Sequence, residues 1–246
     1  MAQSLIIIGT GGNALDILDV AEAINRVGHA WDVVGFLDDS RAVGSQYEGY
    51  QILGGLRDCG RYPEAFFVNA IGSDKSYRKR PDIIAHTKLA PKQFATLIHP
   101  LTAVSSRATL GTGVCVNAGV VIGGGVRVGA HVWLGANSVV GTSTVIEDYT
   151  MISARVVLSG FVRVGSVAYL GAGACVRQRV TIGERALVGL GGVVIADVAP
   201  GTTVVGNPAR VLVRLPRQGK SGDTPAPRSG LLDPATPPPE PASGDE

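Results

Sequence analysis

Cysteine is scarce: Cys59, Cys115 and Cys175 are the three in 246 residues, and no two form a C-x-x-C pair. An odd count without that spacing argues against a disulfide framework and against a structural zinc site, and fits a reducing compartment in which each is a packing residue. Aromatic side chains are also few, 5% of the chain, and the formal net charge is only +2. The chain therefore lacks both the stacking platform and the basic field of a nucleic-acid or anionic-membrane binder. Long apolar runs are missing too. Leu5 to Ile8 is broken at once by glycines, so no signal peptide is expected, and nothing approaches the ~18 apolar residues of a membrane span. The expectation is a cytoplasmic protein without nucleic-acid, membrane or metal partners.

What is present is core-forming material. At 45% hydrophobic residues the chain can build one large or two small domains. Residues 1–95 alternate strand and helix patterns: Leu5 to Ile8, a turn with Gly9, Gly11 and Gly12, then a helical stretch from about Ala14 to Val27 with Ile17, Leu18, Val20, Ala21 and Ile24 on one face. Trp31 to Leu37 and Ala65 to Ile71 read as further strands, and a basic helix follows from about Lys75 to His86. This order predicts a small Rossmann-like α/β domain with a parallel sheet.

From Ile98 the period changes. Every sixth residue is aliphatic without a break: Ile98, Val104, Leu110, Val116, Ile122, Val128, and so on through Val140 and Ile146 to Val194. A glycine often follows, as at Gly123, Gly141 and Gly171, and the fourth residue on is small or β-branched. Such a hexapeptide repeat predicts a parallel β-helix over 96–213, three hexads to a triangular coil, with the repeated aliphatics stacked inside. The remainder, 214–246, is rich in Pro, Ser, Gly, Asp and Glu and is expected to be a disordered tail.

The residue before each buried aliphatic points outward, so steps of eighteen read one face of the prism. The first face carries Val121, Val139, Val157, Cys175 and Val193; the second Cys115, Trp133, Met151, Tyr169 and Leu187; the third, with Thr109, Arg127, Val145, Arg163 and Thr181, is the charged one. Two apolar faces and one polar face suit a subunit of a three-fold ring, each apolar face covered by a neighbour. The expectation is a homotrimer.

With both halves in view the chain resembles the hexapeptide-repeat acyltransferases of the PglD/NeuD type, which include nucleotide-sugar N-acetyltransferases and sialic acid O-acetyltransferases. The matching stretches are IIIGTGGNA at 6–14, VVGFLDD at 33–39, ILGGL at 52–56, VNAIGSDKSYR at 68–78, IHPLTAVSSRATLG at 98–111, the hexads, and VVGNPARVL at 204–212. The resemblance implies a trimeric left-handed β-helix that uses acetyl-CoA and an N-terminal domain that holds a nucleotide-linked sugar. It places the sugar nucleotide over Gly11, Gly12 and Asn13 near Asp38 or Asp39. It places acyl-CoA along Gly171, Ala172, Gly189 and Leu190, with Asn207 and Arg210 at the exit and the Gly160 backbone near the oxyanion.

Three positions depart from the family pattern. Members carry a histidine and an acidic residue in the corner that here reads Gly141-Thr142-Ser143, and their G-x-G-G-H turn ends here in Asn13. Arg155 replaces the usual glycine near the pantetheine path. A threonine hydroxyl is not a base at neutral pH unless something activates it. His131, with Asp148 and Tyr149 on another edge, is the one imidazole that could serve Thr142 and Ser143 from a neighbouring subunit. The other expectation is a non-catalytic relative that binds nucleotide-sugar or acyl-CoA as a scaffold or regulator.

Two further readings are set aside. The Gly9, Gly11, Ala14 spacing is a weak dinucleotide fingerprint, but about 95 residues hold only half of such a fold. A β-helix zinc enzyme needs three histidine ligands, and the repeats offer only His99 and His131.

Overall fold

Apolar runs bounded by glycines become strands here because their side chains can be covered on both faces. The computed structural model describes residues 2–213. Strand β1 (Gln3–Ile8) is central, flanked in parallel by β2 (Trp31–Leu37) and β5 (Phe66–Asn69); β4 (Tyr50–Gly54) pairs with β2, and the short β3 (Gln46–Tyr47) closes the edge antiparallel. Helix α1 (Gly12–Gly28) buries Ala14, Ile17, Leu18, Val20 and Ala21, and α2 (Arg80–Thr87) buries Ile84. The expected α/β half is observed.

From Leu97 onward two-residue strands recur every six residues and stack in three parallel sheets, the sides of a β-helix. Val116, Ile122, Val128, Leu134, Val140, Ile146 and their successors to Val194 are buried and fill the prism; only the opening residues Ile98 and Val104 remain exposed. Fully burying one such side chain contributes about 1.5–3 kcal/mol, and each does so only because the coils above and below cover it. The corners need tight turns. From Gly113 to Gly191 a residue in the left-handed region recurs at every sixth position, as at His131, Asn137, Ser143, Tyr149, Arg155 and Phe161. The preceding glycine is steric at Gly141, where an added Cβ would lie 2.7 Å from Gly160 N on the next coil.

One expectation is corrected. The second face does not wait for a neighbouring subunit: Cys115, Trp133 and Met151 are buried against Leu5, Ile7, Ala14 and Ile17 of the same chain. A parallel sheet has two faces to cover, and the N-terminal domain covers one of its own by docking on the β-helix. The change of period near residue 95 is therefore no break in packing, and residues 1–212 form one compact unit. Polar contacts fasten the joint: the Tyr77 hydroxyl donates to Arg185 O (3.1 Å), and Arg78 donates to Arg185 O and Gly201 O (3.2 Å each). The first face stays open, with Val121, Val139 and Val157 at 43%, 38% and 38% exposure. The tail expected over 214–246 lies outside the described residues.

Candidate active site

The turn between β1 and α1 is built around Asp38. Its Oδ2 accepts from the Thr10 amide (2.8 Å) and hydroxyl (2.6 Å), and its Oδ1 from the Ser40 amide (2.8 Å) and hydroxyl (2.6 Å). Partial burial acts to raise this carboxyl's pKa, but the Ser40 and Thr10 hydrogen bonds outweigh it and hold the group below its usual value. Asp39 accepts from the Leu56 amide (2.9 Å). Asp38 thus shapes the turn with both of its oxygens, whereas Asp39 fastens the 55–56 loop through Oδ1.

Gly11 and Gly12 are exposed, with nothing near where a Cβ would sit, and α1 begins there without a side-chain cap. Uncapped first-turn N–H groups favour an anionic oxygen. Asn13 is committed elsewhere: its amide donates to Ala70 O (3.1 Å) and Gly72 O (2.9 Å), tying the start of α1 to the 70–72 loop.

The β-helix candidates fall on two edges of the prism. Thr142 and Ser143 stand on the edge between the first and third faces, with Gly160 one coil on, where the Phe161 amide donates to Thr142 O (2.8 Å). Thr142 is exposed, and Ser143 lines a groove of about 440 Å3 with Arg127, Arg163 and Arg179. Thr144, the third member of that polar trio, turns inward and is fully buried, its hydroxyl donating to Ser159 O (3.1 Å). It is structural.

Gly171, Ala172, Gly189 and Leu190 stack on the edge between the second and first faces, where a Cβ on Gly171 would meet Leu190 N at 2.8 Å. Gly171 is buried on that edge, Ala172 and Gly189 are half-buried, and Leu190 projects at 76% exposure. Asn207 and Arg210 are exposed at the exit, beside the last strand pair. Within one chain the structure does not bring the Thr142 edge and the Gly171 edge together.

His131 is not the solvated corner residue the sequence suggested. It is 4% exposed, stacked on Tyr149 (5.1 Å between ring centroids, 10° between planes) and edge-on to Phe94 (4.6 Å), beneath the N-terminal domain. Burial, aided by the nearby Arg80 cation, depresses its pKa to about 4. An imidazole enclosed by its own chain cannot reach a neighbour's Thr142, which removes it as a base in trans.

Two groups escaped the sequence reading. Arg80 is 2% exposed and donates to Ile71 O (2.8 Å) and to His131 O, and among the described residues no carboxylate pairs with it. A lone arginine at a helix start looks like any surface cation in a sequence. Asp16 lines a cleft of about 340 Å3 between α1 and the β-helix. Its helical position beside Ile17 and Leu18 gives no hint of that. Among the described residues no three His, Cys, Asp or Glu side chains gather as a metal site, and no helix is long and apolar enough to cross a membrane.

Residues 4–81 match the family model described as the PglD N-terminal domain. The acetyltransferase domain of PglB from Neisseria gonorrhoeae, solved with acetyl coenzyme A, is 31% identical at TM-score 0.75, covering 86% of this chain and 100% of that one. A histidine-to-asparagine mutant of perosamine N-acetyltransferase from Caulobacter crescentus, solved with CoA and GDP-perosamine, is 27% identical at TM-score 0.76, covering 87% and 99%. WeeI from Acinetobacter baumannii shares the fold at 21% identity and TM-score 0.70, covering 86% and 100%. No curated protein sequence matches the chain.

Proposed function

The chain belongs to the hexapeptide-repeat acyltransferases of the PglD/NeuD type, and on that premise we propose that it transfers an acyl group, acetyl in the first instance, from CoA to an amine of a nucleotide-linked sugar. The observation that carries this reading is the end-to-end match to the gonococcal acetyltransferase, which spans both the N-terminal domain and the β-helix. Residues 1–95 hold the acceptor, with its phosphates at the open start of α1 near Gly11 and Gly12. Residues 96–213 hold acetyl-CoA along Gly171, Ala172, Gly189 and Leu190, toward Asn207 and Arg210.

The Gly171 edge and the Thr142 edge meet only if a second subunit contributes, so the working form is a homotrimer joined through the exposed Val121, Val139 and Val157 face. Thr142 and Ser143 then complete the reacting corner from the neighbour, and the Gly160 N–H faces the developing oxyanion. An amine acceptor suits this corner better than a hydroxyl. A deprotonated amine attacks a thioester without a base, and positioning alone supplies much of the rate. The reaction is cytoplasmic, where acyl-CoA is made.

A second reading rests on one observation. The four histidines are His29, His86, His99 and His131, and none stands at the Thr142 corner, so the chain can bind its ligands as a scaffold without turnover. The deciding experiment measures thiol release from acetyl-CoA over a panel of nucleotide-linked amino sugars and free sialic acid, for the wild type and for Thr142→His. Turnover by the wild type supports the enzyme. Silence in the wild type with activity gained in Thr142→His supports the scaffold, and silence in both sinks the acyl-transfer reading.

A further inference from the structure

The third face of the prism, set apart in the sequence by its charge, carries a groove of one sign. Arg127, Arg163 and Arg179 line it with Ser143, Phe161 and Thr181, and no acidic side chain shares that lining. The Arg179 guanidinium rests on the Phe161 ring, 4.8 Å from its centroid, which holds one of the cations over the groove.

The acids nearby are engaged elsewhere. Asp197 accepts from the Thr181 amide (2.8 Å) and Asp148 from the Ala130 amide (2.7 Å), while Glu147 lines the adjoining hollow with Arg127. Among the described residues no carboxylate forms an ion pair with any of the three arginines. Guanidinium groups gathered without counter-charge repel one another, and a set of carboxylates relieves that repulsion.

The sequence holds such a set. Residues 233–246 contain Asp233, Glu240, Asp245 and Glu246 and no lysine or arginine; the bases that follow Val213, which are Arg214, Arg217, Lys220 and Arg228, all precede it. The described chain leaves through the strand Arg210–Val211 at the end of the second-face sheet, and Thr181 belongs to the last strand of the third-face sheet. Exit and groove therefore share the C-terminal end of the prism. The twenty residues from 213 to 233 can span up to about 65 Å, so reach does not restrict the pairing.

We infer that the groove of Arg127, Arg163 and Arg179 is the docking surface for the acidic segment 233–246 of this same chain, its carboxylates paired with the guanidinium forks. Each exposed pair contributes little alone, but attachment to the same chain keeps the segment concentrated at the groove, so several weak pairs suffice. The inference goes beyond the acyl-transfer reading and does not depend on it. Because Ser143 belongs to the groove as well as to the Thr142 corner, the docked segment stands beside that corner.

The test records amide nitrogen–proton spectra of the full-length protein at about 20 mM salt and compares residues 240–246 with the same residues in a free peptide spanning 229–246. In the wild type those signals are shifted or broadened relative to the peptide, and about 0.5 M NaCl returns them to the peptide positions. Arg163→Glu combined with Arg179→Glu returns them at low salt. The combination of Asp233→Asn, Glu240→Gln, Asp245→Asn and Glu246→Gln, set against a peptide of its own sequence, does so too, and it leaves the arginines in place. Arg57→Glu combined with Lys88→Glu, at the basic hollow on the N-terminal domain, leaves the wild-type signals where they are. Wild-type signals that coincide with the peptide at low salt overturn the assignment. So do signals that stay displaced in either the arginine or the carboxylate variant, or that are lost with the Arg57 and Lys88 pair. Each of those results leaves the acyl-transfer reading standing, since no turnover is measured.

Discussion

His131 lies face to face with Tyr149, one coil further along the same corner, their ring centroids 5.1 Å apart, while Arg80 of the N-terminal domain donates to the His131 carbonyl. The corner that could have offered a base is thus part of the joint between the two halves of the chain.

A neutral imidazole follows from that burial. The folded pKa, about 4, is below the 6.5 of the free side chain, so the unfolded state takes up a proton first and stability falls as pH drops from about 6.5 to about 4. His131→Phe should flatten that part of the profile in urea melts recorded across this range, and should leave acyl transfer within about twofold of wild type. Loss of turnover in a folded His131→Phe protein would return the imidazole to the mechanism.

Arg80 holds two carbonyls from opposite sides of the joint. Arg80→Met keeps most of the volume but leaves Ile71 O and His131 O unpaired, and is expected to cost roughly 2–4 kcal/mol. Urea denaturation measures the loss. An unchanged midpoint would mean that water replaces the guanidinium without penalty.

Asp38 organises the glycine turn through Thr10 and Ser40. Asp38→Asn removes the charge and half the acceptor capacity, and is expected to destabilise by about 2 kcal/mol at neutral pH and to weaken nucleotide-sugar binding. Because the folded pKa is depressed, the charged group's contribution is present above about 3.8 and fades as pH falls. The gap between wild type and variant in thermal melts should therefore narrow in acid; a constant gap would assign the effect to shape alone.

Thr142 and Thr144 separate surface from core two residues apart. Thr144→Val deletes the bond to Ser159 O inside the prism and should cost about 1 kcal/mol or more, whereas Thr142→Val should shift stability by less than about 0.5 kcal/mol. Paired denaturation curves check this. Equal losses would contradict the inward and outward placement of the two hydroxyls.

The repeat from Ile98 to Val194 determined its own fold, because a six-residue period with alternating burial has no packed solution except stacked coils, and the glycines at positions such as Gly141 are demanded by the coil above. The β-α-β start was equally readable, since apolar runs and glycine turns act over a few residues. Which face of the prism met what was decided only in three dimensions. Trp133, Met151 and Tyr169 read as a subunit interface because their sequence shows apolarity without naming the partner, and the partner is the chain's own N-terminal domain, docked by contacts such as Tyr77 to Arg185 that span more than a hundred residues. That docking buried His131, enclosed Arg80 and made a cleft around Asp16. The polarity of a side chain belongs to the sequence, but its exposure, and so its pKa and its chemistry, belongs to what packs over it.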